Sequence, residues 1–189
     1  MEANFTDLDD EALIQWICKG RHEAFAALVK RHSKRFYSFA YLIIFNKNDA
    51  EDIVQEAFLK LWNRPELWDP GRQVKFTTWF YRVIRNLCLD HNKKKKPLSL
   101  SEDMQLSNKQ PGQEILLNQK QKQEQLDSLI QELPERQQLA LNLCFYEELS
   151  NKEAAEIIGV NVKALQSLIM RAKTTLKEKV EKYLDRGLI

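Results

Sequence analysis

Acidic side chains recur along one stretch of the sequence, where Asp49, Asp52 and Glu56 follow one another at three- and four-residue intervals, and Asp90 stands further on. Carboxylates can hold paired divalent cations, which raises the hypothesis of a metal-dependent nucleic-acid enzyme. The three clustered acids fall along one polar face of a helix, and we expect neither a second acidic cluster nor a histidine partner beside them. The pattern therefore favours a protein without catalytic residues, metal or cofactor.

Aromatic and basic residues share a second stretch, Thr77 to Lys96, which from Arg82 onward holds six bases against a single acid. Aromatic rings can stack on unpaired bases, arginine and lysine attract phosphates, and Asn86 can pair with a base edge. Two other interpretations stay open. The rings of Trp79 and Phe80 can belong to the core, and the lysine run can be a solubilising helix end.

A capping box is indicated from Ser150 to Glu153, where the serine hydroxyl and the glutamate carboxylate can satisfy free backbone N–H groups at a helix start. Gly159 stands where a tight turn between two helices needs a positive φ, and Asn161 can cap the second helix. The spacing predicts a helix-turn-helix, although an ordinary helical hairpin with a solvated basic face shares these features. The residues predicted to face a major groove or its phosphates are Lys163, Ala164, Gln166, Ser167, Met170, Arg171, Lys173 and Lys177.

Helical periodicity extends over most of the chain, whose 189 residues include only five glycines and five prolines. Residues 97–113 are rich in Ser, Asn, Gln and Pro and predict a flexible tether. About four helices should follow from Glu114, with Pro134 in a first turn. We therefore expect an all-α fold with two small domains, residues 1–96 and 114–189, joined by that linker. The helices predicted in the first domain are Leu8–Ile17, Glu23–Phe45, one that begins at Asp49, and Thr77–His91.

Cysteine usage and the absence of long apolar runs indicate a compartment. Cys18, Cys88 and Cys144 are odd in number and far apart, without the spacing of a metal site. Because their neighbours are apolar and helical, we expect reduced thiols in the core. The acidic N-terminus and the lack of a run long enough for a membrane span or signal peptide favour a cytoplasmic protein.

Three ordered segments carry a resemblance to a known family. Asp49–Trp62, Phe76–Asn86 and Leu133–Gln137 occur in that order, with a basic run and a tether between the last two, and the helix-turn-helix follows. In residue type and spacing the chain resembles the extracytoplasmic-function (ECF) sigma factors of bacterial RNA polymerase, from about Glu23 to Tyr183. The resemblance implies a protein that binds core polymerase, grips promoter DNA with both domains and catalyses nothing itself.

The resemblance also implies a role for each set of site residues. The residues that bind the clamp coiled coil of the polymerase's largest subunit are Asp49, Asp52, Gln55, Glu56 and Leu59. The residues that capture the non-template strand of the minus-ten element are Thr78, Trp79, Arg82, Arg85, Asn86, Lys93 and Lys94. The outward residues from Lys163 to Lys173 read the minus-thirty-five duplex, and the polymerase flap and a regulatory anti-sigma protein are further implied partners.

Two positions of the recognition helix depart from the family pattern. Gln166 and Leu168 stand where the family commonly has lysine and arginine. The loss of two positive charges predicts a different minus-thirty-five sequence.

One alternative function needs no polymerase. A free-standing transcriptional regulator could use the same helix-turn-helix, and it would bind duplex DNA tightly by itself. That hypothesis leaves the acidic face and the aromatic-basic helix of the first domain unexplained.

Overall fold

The structure is a computed structural model, described here for residues 5–69, 71, 74–95, 126 and 128–185. Within these ranges all regular structure is helical, which confirms the all-α prediction. The first domain has helices α1 (Asp10–Cys18), α2 (His22–Ile44), α3 (Lys47–Asn63) and α4 (Phe76–Lys95), with a short 3-10 turn at Pro65–Leu67. The second has α5 (Glu135–Leu141), a π-helical turn at Asn142–Tyr146, α6 (Asn151–Ile158) and α7 (Val162–Asp185). None of the described helices is long and apolar enough to cross a membrane.

Aromatic packing around α2 holds the first domain together. The Phe36 ring is fully buried, and its centroid lies 4.7 Å from that of Phe80, 5.0 Å from that of Tyr81 and 6.1 Å from that of Phe58. Burial of each such ring contributes roughly 1.5–3 kcal/mol. Because these rings come from α2, α3 and α4, the cluster fixes α3 and α4 against a common support.

Local capping sets where α3 begins. Phe45 ends α2 in the left-handed region, at φ 55°. The side chain of Asn46 then accepts a hydrogen bond from the backbone N–H of Asp49 at 3.1 Å, which satisfies a donor that the first turn leaves free. With only these two residues between the helices, α3 folds back against α2 and presents its outer face to solvent.

The second domain buries a smaller apolar core between α5, α6 and α7. Its fully or nearly fully buried side chains include Leu139, Leu143, Ala154, Ala155, Ile157, Ile158 and Leu165. Several of these continue into the core of the first domain, so the two domains share an apolar contact where α4 meets α6.

The predicted helices of the first domain are confirmed with small shifts at their ends. Helix α4 runs to Lys95, beyond the predicted end at His91, because positive charge in the last turn complements the helix dipole. Pro134 occupies the N-cap position of α5 at ψ 138°, so its placement in a first turn is wrong by one position. The tether predicted at 97–113 and the predicted helix start at Glu114 lie outside the described residues.

One cysteine does not follow the prediction of core thiols. Cys18 is exposed, because α1 turns Leu13, Ile14 and Ile17 inward and the next residue along the helix points away from them. Cys88 is buried, and burial raises the pKa of its thiol to about 12. All three cysteines are free.

Candidate polymerase and nucleic-acid interfaces

The outer face of α3 carries four of the five residues predicted to bind polymerase. Asp52, Gln55 and Glu56 are exposed, and Leu59 is 57% exposed. We call this row the α3 ridge. Leu59 gives the otherwise polar ridge an apolar contact point, as protein interfaces commonly have. The opposite face anchors the helix through Ile53, Ala57, Phe58 and Leu61, all buried.

Asp49, the fifth predicted residue, lies at one end of the ridge and is partly buried. Its Oδ2 atom is 3.4 Å from Nε2 of His91, so the expectation that the acids lack a histidine partner is wrong. The two residues meet because α3 and α4 pack side by side. Glu56 pairs with Lys60 at 2.7 Å. Among the described residues, no three His, Cys, Asp or Glu side chains are grouped to hold a metal ion, and the metal-enzyme hypothesis gains no support.

A groove beside the α3 ridge was not predicted from the sequence. It encloses about 320 Å³ between α2 and α3. Its lining includes Val29 and Tyr37 from α2, and Val54, Gln55 and Phe58 from α3. Sequence patterns do not find such a feature because its walls come from two helices, and only their packing brings the residues together.

The outer face of α4 carries most of the residues predicted to bind the minus-ten strand. Arg82, Asn86, Lys93 and Lys94 are exposed, and Arg85 is partly buried. All five project from one helix that the aromatic core holds in place, so their relative positions are fixed.

Thr78 and Trp79 sit deeper than the rest of that set. Thr78 is 2% exposed. Trp79 is partly buried, with its ring 6.1 Å from Phe76 and 5.9 Å from Phe80 between centroids. The indole therefore has an inner edge in the core and an outer edge that remains accessible.

The second domain covers part of this α4 face. Arg85 Nη1 donates a hydrogen bond to the carbonyl oxygen of Ile157 at 2.9 Å, and its Nε atom is buried without a partner. Burial lowers the pKa of Arg85, the Glu135 carboxylate opposes that shift, and the nearby Arg136 and Arg82 guanidinium groups add to it. Arg85 is thus a cation held under the second domain with incomplete hydrogen bonding.

The local geometry of the helix-turn-helix is as predicted. The Ser150 hydroxyl accepts from the Glu153 N–H at 3.3 Å, and the Ser150 N–H donates to the Glu153 carboxylate at 3.1 Å, which completes the capping box. Gly159 has φ 77° between α6 and α7. Asn161 Oδ1 accepts from the N–H of Ala164 at 2.8 Å and caps α7. The turn and both helix starts are therefore set by neighbouring residues.

The outer face of α7 presents the predicted duplex-reading residues. Ala164 and the departing residue Leu168 are partly buried. The exposed members are Lys163, Gln166, Ser167, Met170, Arg171, Lys173 and Lys177.

A ring that sequence reasoning missed lies next to this face. Phe145 is 51% exposed, and the Lys173 ammonium lies 4.6 Å from its ring centroid. The two belong to a groove of about 460 Å³ between the π-helical turn and α7. A cation over an aromatic face is restrained in position, so the ring orients Lys173.

Comparison with known proteins accounts for both domains. Residues 28–97 match Sigma-70 region 2, and residues 123–176 match Sigma-70 region 4. The ECF RNA polymerase sigma factor SigM of Bacillus subtilis is 30% identical, over 75% of this chain and 85% of its own length. SigW of the same organism is 29% identical, over 88% of this chain and 94% of its own. The chain belongs to the ECF sigma factors of RNA polymerase.

Solved structures agree at the level of the fold. CnrH, in complex with the cytosolic domain of CnrY, has a TM-score of 0.70 at 22% identity and covers 92% of this chain and 97% of its own. RpoE of Bartonella quintana, in complex with the anti-sigma factor NepR, has a TM-score of 0.65 at 20% identity, over 83% and 96% of the two chains. The ECF sigma factor therefore shares its two-domain helical fold with both.

Membership of this family states the function. An ECF sigma factor is an alternative sigma factor that binds core RNA polymerase and promoter DNA and directs the initiation of transcription, and such proteins are in general regulators rather than enzymes. The region 2 match explains the first domain, which the hypothesis of a free-standing regulator left without a role.

Proposed function

We propose that this sigma factor binds the clamp coiled coil of the largest polymerase subunit through the α3 ridge. The observation that carries the proposal is the exposed row of Asp52, Gln55, Glu56 and Leu59 on a helix whose other face is buried. Two carboxylates complement a basic partner surface, and the leucine supplies apolar contact within it. The adjoining groove between α2 and α3 can receive an apolar side chain of the same partner.

We assign the exposed face of α4 to the non-template strand of the minus-ten element. Arg82, Lys93 and Lys94 attract its phosphates, and the amide of Asn86 pairs with a base edge. The outer edge of Trp79 offers a stacking surface. Thr78 acts from within the core, by supporting the neighbouring indole.

We assign the outer face of α7 to the minus-thirty-five duplex. Gln166 and Arg171 can pair with base edges, and Met170 and Ala164 can meet a thymine methyl group. Lys173 holds a phosphate, with Phe145 as its support. The second domain also meets the polymerase flap, and the residues between the two domains let both grip one promoter.

The remaining parts of the proposal concern regulation and location. CnrH and the Bartonella quintana RpoE were each solved with a partner, CnrY and the anti-sigma factor NepR respectively. By this likeness we propose that an anti-sigma protein binds this chain as well. We further propose that the protein catalyses no reaction itself and acts in the cytoplasm, where polymerase and chromosome are.

Reconstitution tests the function. Purified core polymerase with this protein should give transcripts from members of a genomic promoter library that core polymerase alone does not give. The absence of any protein-dependent transcript would contradict the proposal.

Charge reversal tests the α3 assignment. The double substitution Asp52→Lys and Glu56→Lys should weaken core binding by about tenfold or more, which corresponds to at least about 1.4 kcal/mol. The control is Glu66→Lys, which reverses a carboxylate that is 64% exposed elsewhere on the first domain. If the double variant binds core polymerase as the control does, α3 is not the contact.

A further inference from the structure

One carboxylate of the second domain is buried against two helices of the first. The Glu147 side chain is 4% exposed, and its Oε2 atom accepts from Arg35 Nε at 2.6 Å and from the hydroxyl of Tyr81. Arg35 Nη2 also donates to the backbone carbonyl of Glu147 at 2.5 Å. Glu147 thus joins α2 and α4 to the end of the π-helical turn.

The surroundings of this group depend on the two domains being together. Burial, and then the hydrogen bond to Glu147, raise the pKa of Tyr81. Burial alone would lower the pKa of Arg35, but the hydrogen bond and charge of Glu147 raise it overall. The carboxylate therefore keeps the guanidinium charged at the domain boundary.

Acidic residues of α6 engage the bases in and before α4. Lys75 Nζ lies 2.8 Å from Glu153, and Arg82 Nη1 lies 3.4 Å from Glu156. Arg85 donates to the backbone of α6 at Ile157. Carboxylates and a carbonyl thus occupy cations that would otherwise attract phosphates, so α6 offers α4 the same chemistry as a nucleic-acid strand.

The contact is built so that it can separate. Beyond the Glu147 group, its ion pairs are partly exposed, and such pairs are worth little in water. Two buried polar atoms at the boundary, Arg85 Nε and Asn142 Oδ1, have no hydrogen-bond partner. Each such atom costs free energy that is recovered when the domains part and water reaches it.

We propose that the second domain is an internal competitor for single-stranded DNA: with Glu147 as its main attachment, it closes over α4 and blocks the minus-ten residues until polymerase holds the domains apart. This inference rests on the proposed assignment of α4 to the minus-ten strand. The apparent affinity of the free protein for that strand is reduced by the fraction of molecules that are open.

Two variants test the closure in the full chain. Glu147→Gln removes the buried charge with little change in shape, and Glu156→Gln removes a partly exposed competitor without touching the core. The matched control is Glu148→Gln, which neutralises the exposed neighbour of Glu147. Circular dichroism and thermal unfolding establish that each variant is folded.

The first measurement is the size of the free protein by small-angle X-ray scattering. Glu147→Gln should have a larger radius of gyration than the unsubstituted protein, whereas Glu148→Gln should not. An unchanged radius in a folded Glu147→Gln variant overturns the attachment.

The second measurement is the binding of a fluorescent pool of short random-sequence single-stranded DNA. If about a tenth of the free protein is open, full opening tightens binding about tenfold. Both Glu147→Gln and Glu156→Gln should bind more tightly than the control, and the gain should vanish when Arg82→Ala and Arg85→Ala are added. A gain that persists without the two arginines, or no gain in either variant, overturns the competition.

These readouts separate the inference from the proposed function. Scattering and strand binding need no polymerase, so a failure of the reconstituted transcription assay leaves the closure itself measurable. Conversely, transcription by the unsubstituted protein together with an unchanged radius in Glu147→Gln retains the function and rejects the closure.

Discussion

The Nζ atom of Lys75 lies 2.8 Å from the Oε1 atom of Glu153, although 78 positions separate the two residues in the chain. The second oxygen of the same carboxylate accepts from the Ser150 hydroxyl at 2.7 Å and from the Ser150 N–H at 3.1 Å. Glu153 therefore caps α6 and joins it to the segment that precedes α4. The hydrogen bond from Lys75, and then that from Ser150, lower the pKa of Glu153 to about 2.

This lowered pKa predicts an acid-sensitive contribution to stability. A carboxylate with a lower pKa in the folded chain stabilises it fully above its ordinary pKa of 4.5, and that contribution is lost as the pH falls toward about 2. Glu153→Gln should therefore lower the melting temperature at neutral pH and narrow the gap to the unsubstituted protein as the pH falls. Thermal unfolding by circular dichroism checks this, with Glu148→Gln as the control. A gap that is constant over the pH range contradicts the prediction.

Replacement of the turn glycine should destabilise the second domain. Gly159 has φ 77°, and a Cβ atom built there meets nothing within 4 Å, so any cost of Gly159→Ala comes from the backbone alone. We expect a loss of about 1 kcal/mol in the free energy of unfolding. Urea unfolding measures it. Gly159→Asn should lose less, because asparagine tolerates the left-handed region, and equal losses would argue against this cause.

Loss of the α7 cap should weaken the helix start next to the predicted duplex contacts. Asn161→Ala removes the acceptor of the 2.8 Å hydrogen bond from Ala164 and should cost about 1 kcal/mol of unfolding free energy. Asn161→Asp retains a capping oxygen and serves as the control. Urea unfolding compares the two, and similar stability of the alanine and aspartate variants would show that the cap contributes little.

Phosphate contact and base reading should separate on α7. Lys173→Ala should reduce the slope of log affinity against log salt by about 1, whatever the promoter sequence. Gln166→Ala should leave that slope unchanged and alter the preferred base at one position. Selection of minus-thirty-five sequences by the holoenzyme, with binding measured at several salt concentrations, distinguishes them. A changed slope in the Gln166 variant would reverse the assignment.

Features that depend on adjacent residues were predictable from the sequence. The capping box at Ser150, the positive φ of Gly159 and the cap at Asn161 each involve residues three or fewer positions apart, so their chemistry is written in local order. The buried faces of the helices follow from the helical period, as Leu13, Ile14 and Ile17 illustrate. Helix ends were less secure, because α4 continues through residues whose own pattern predicted a stop.

Long-range geometry came only from the tertiary structure. Arg35 and Glu147 are 112 positions apart, and no period or spacing relates them. Their contact exists because α2, α4 and the π-helical turn pack together and exclude water from one carboxylate. The same packing brings His91 to Asp49 and lays α6 over Arg85. The sequence alone thus determined the helices, the turn and the family resemblance, whereas the groove beside α3 and the covering of α4 were decided by packing between distant segments.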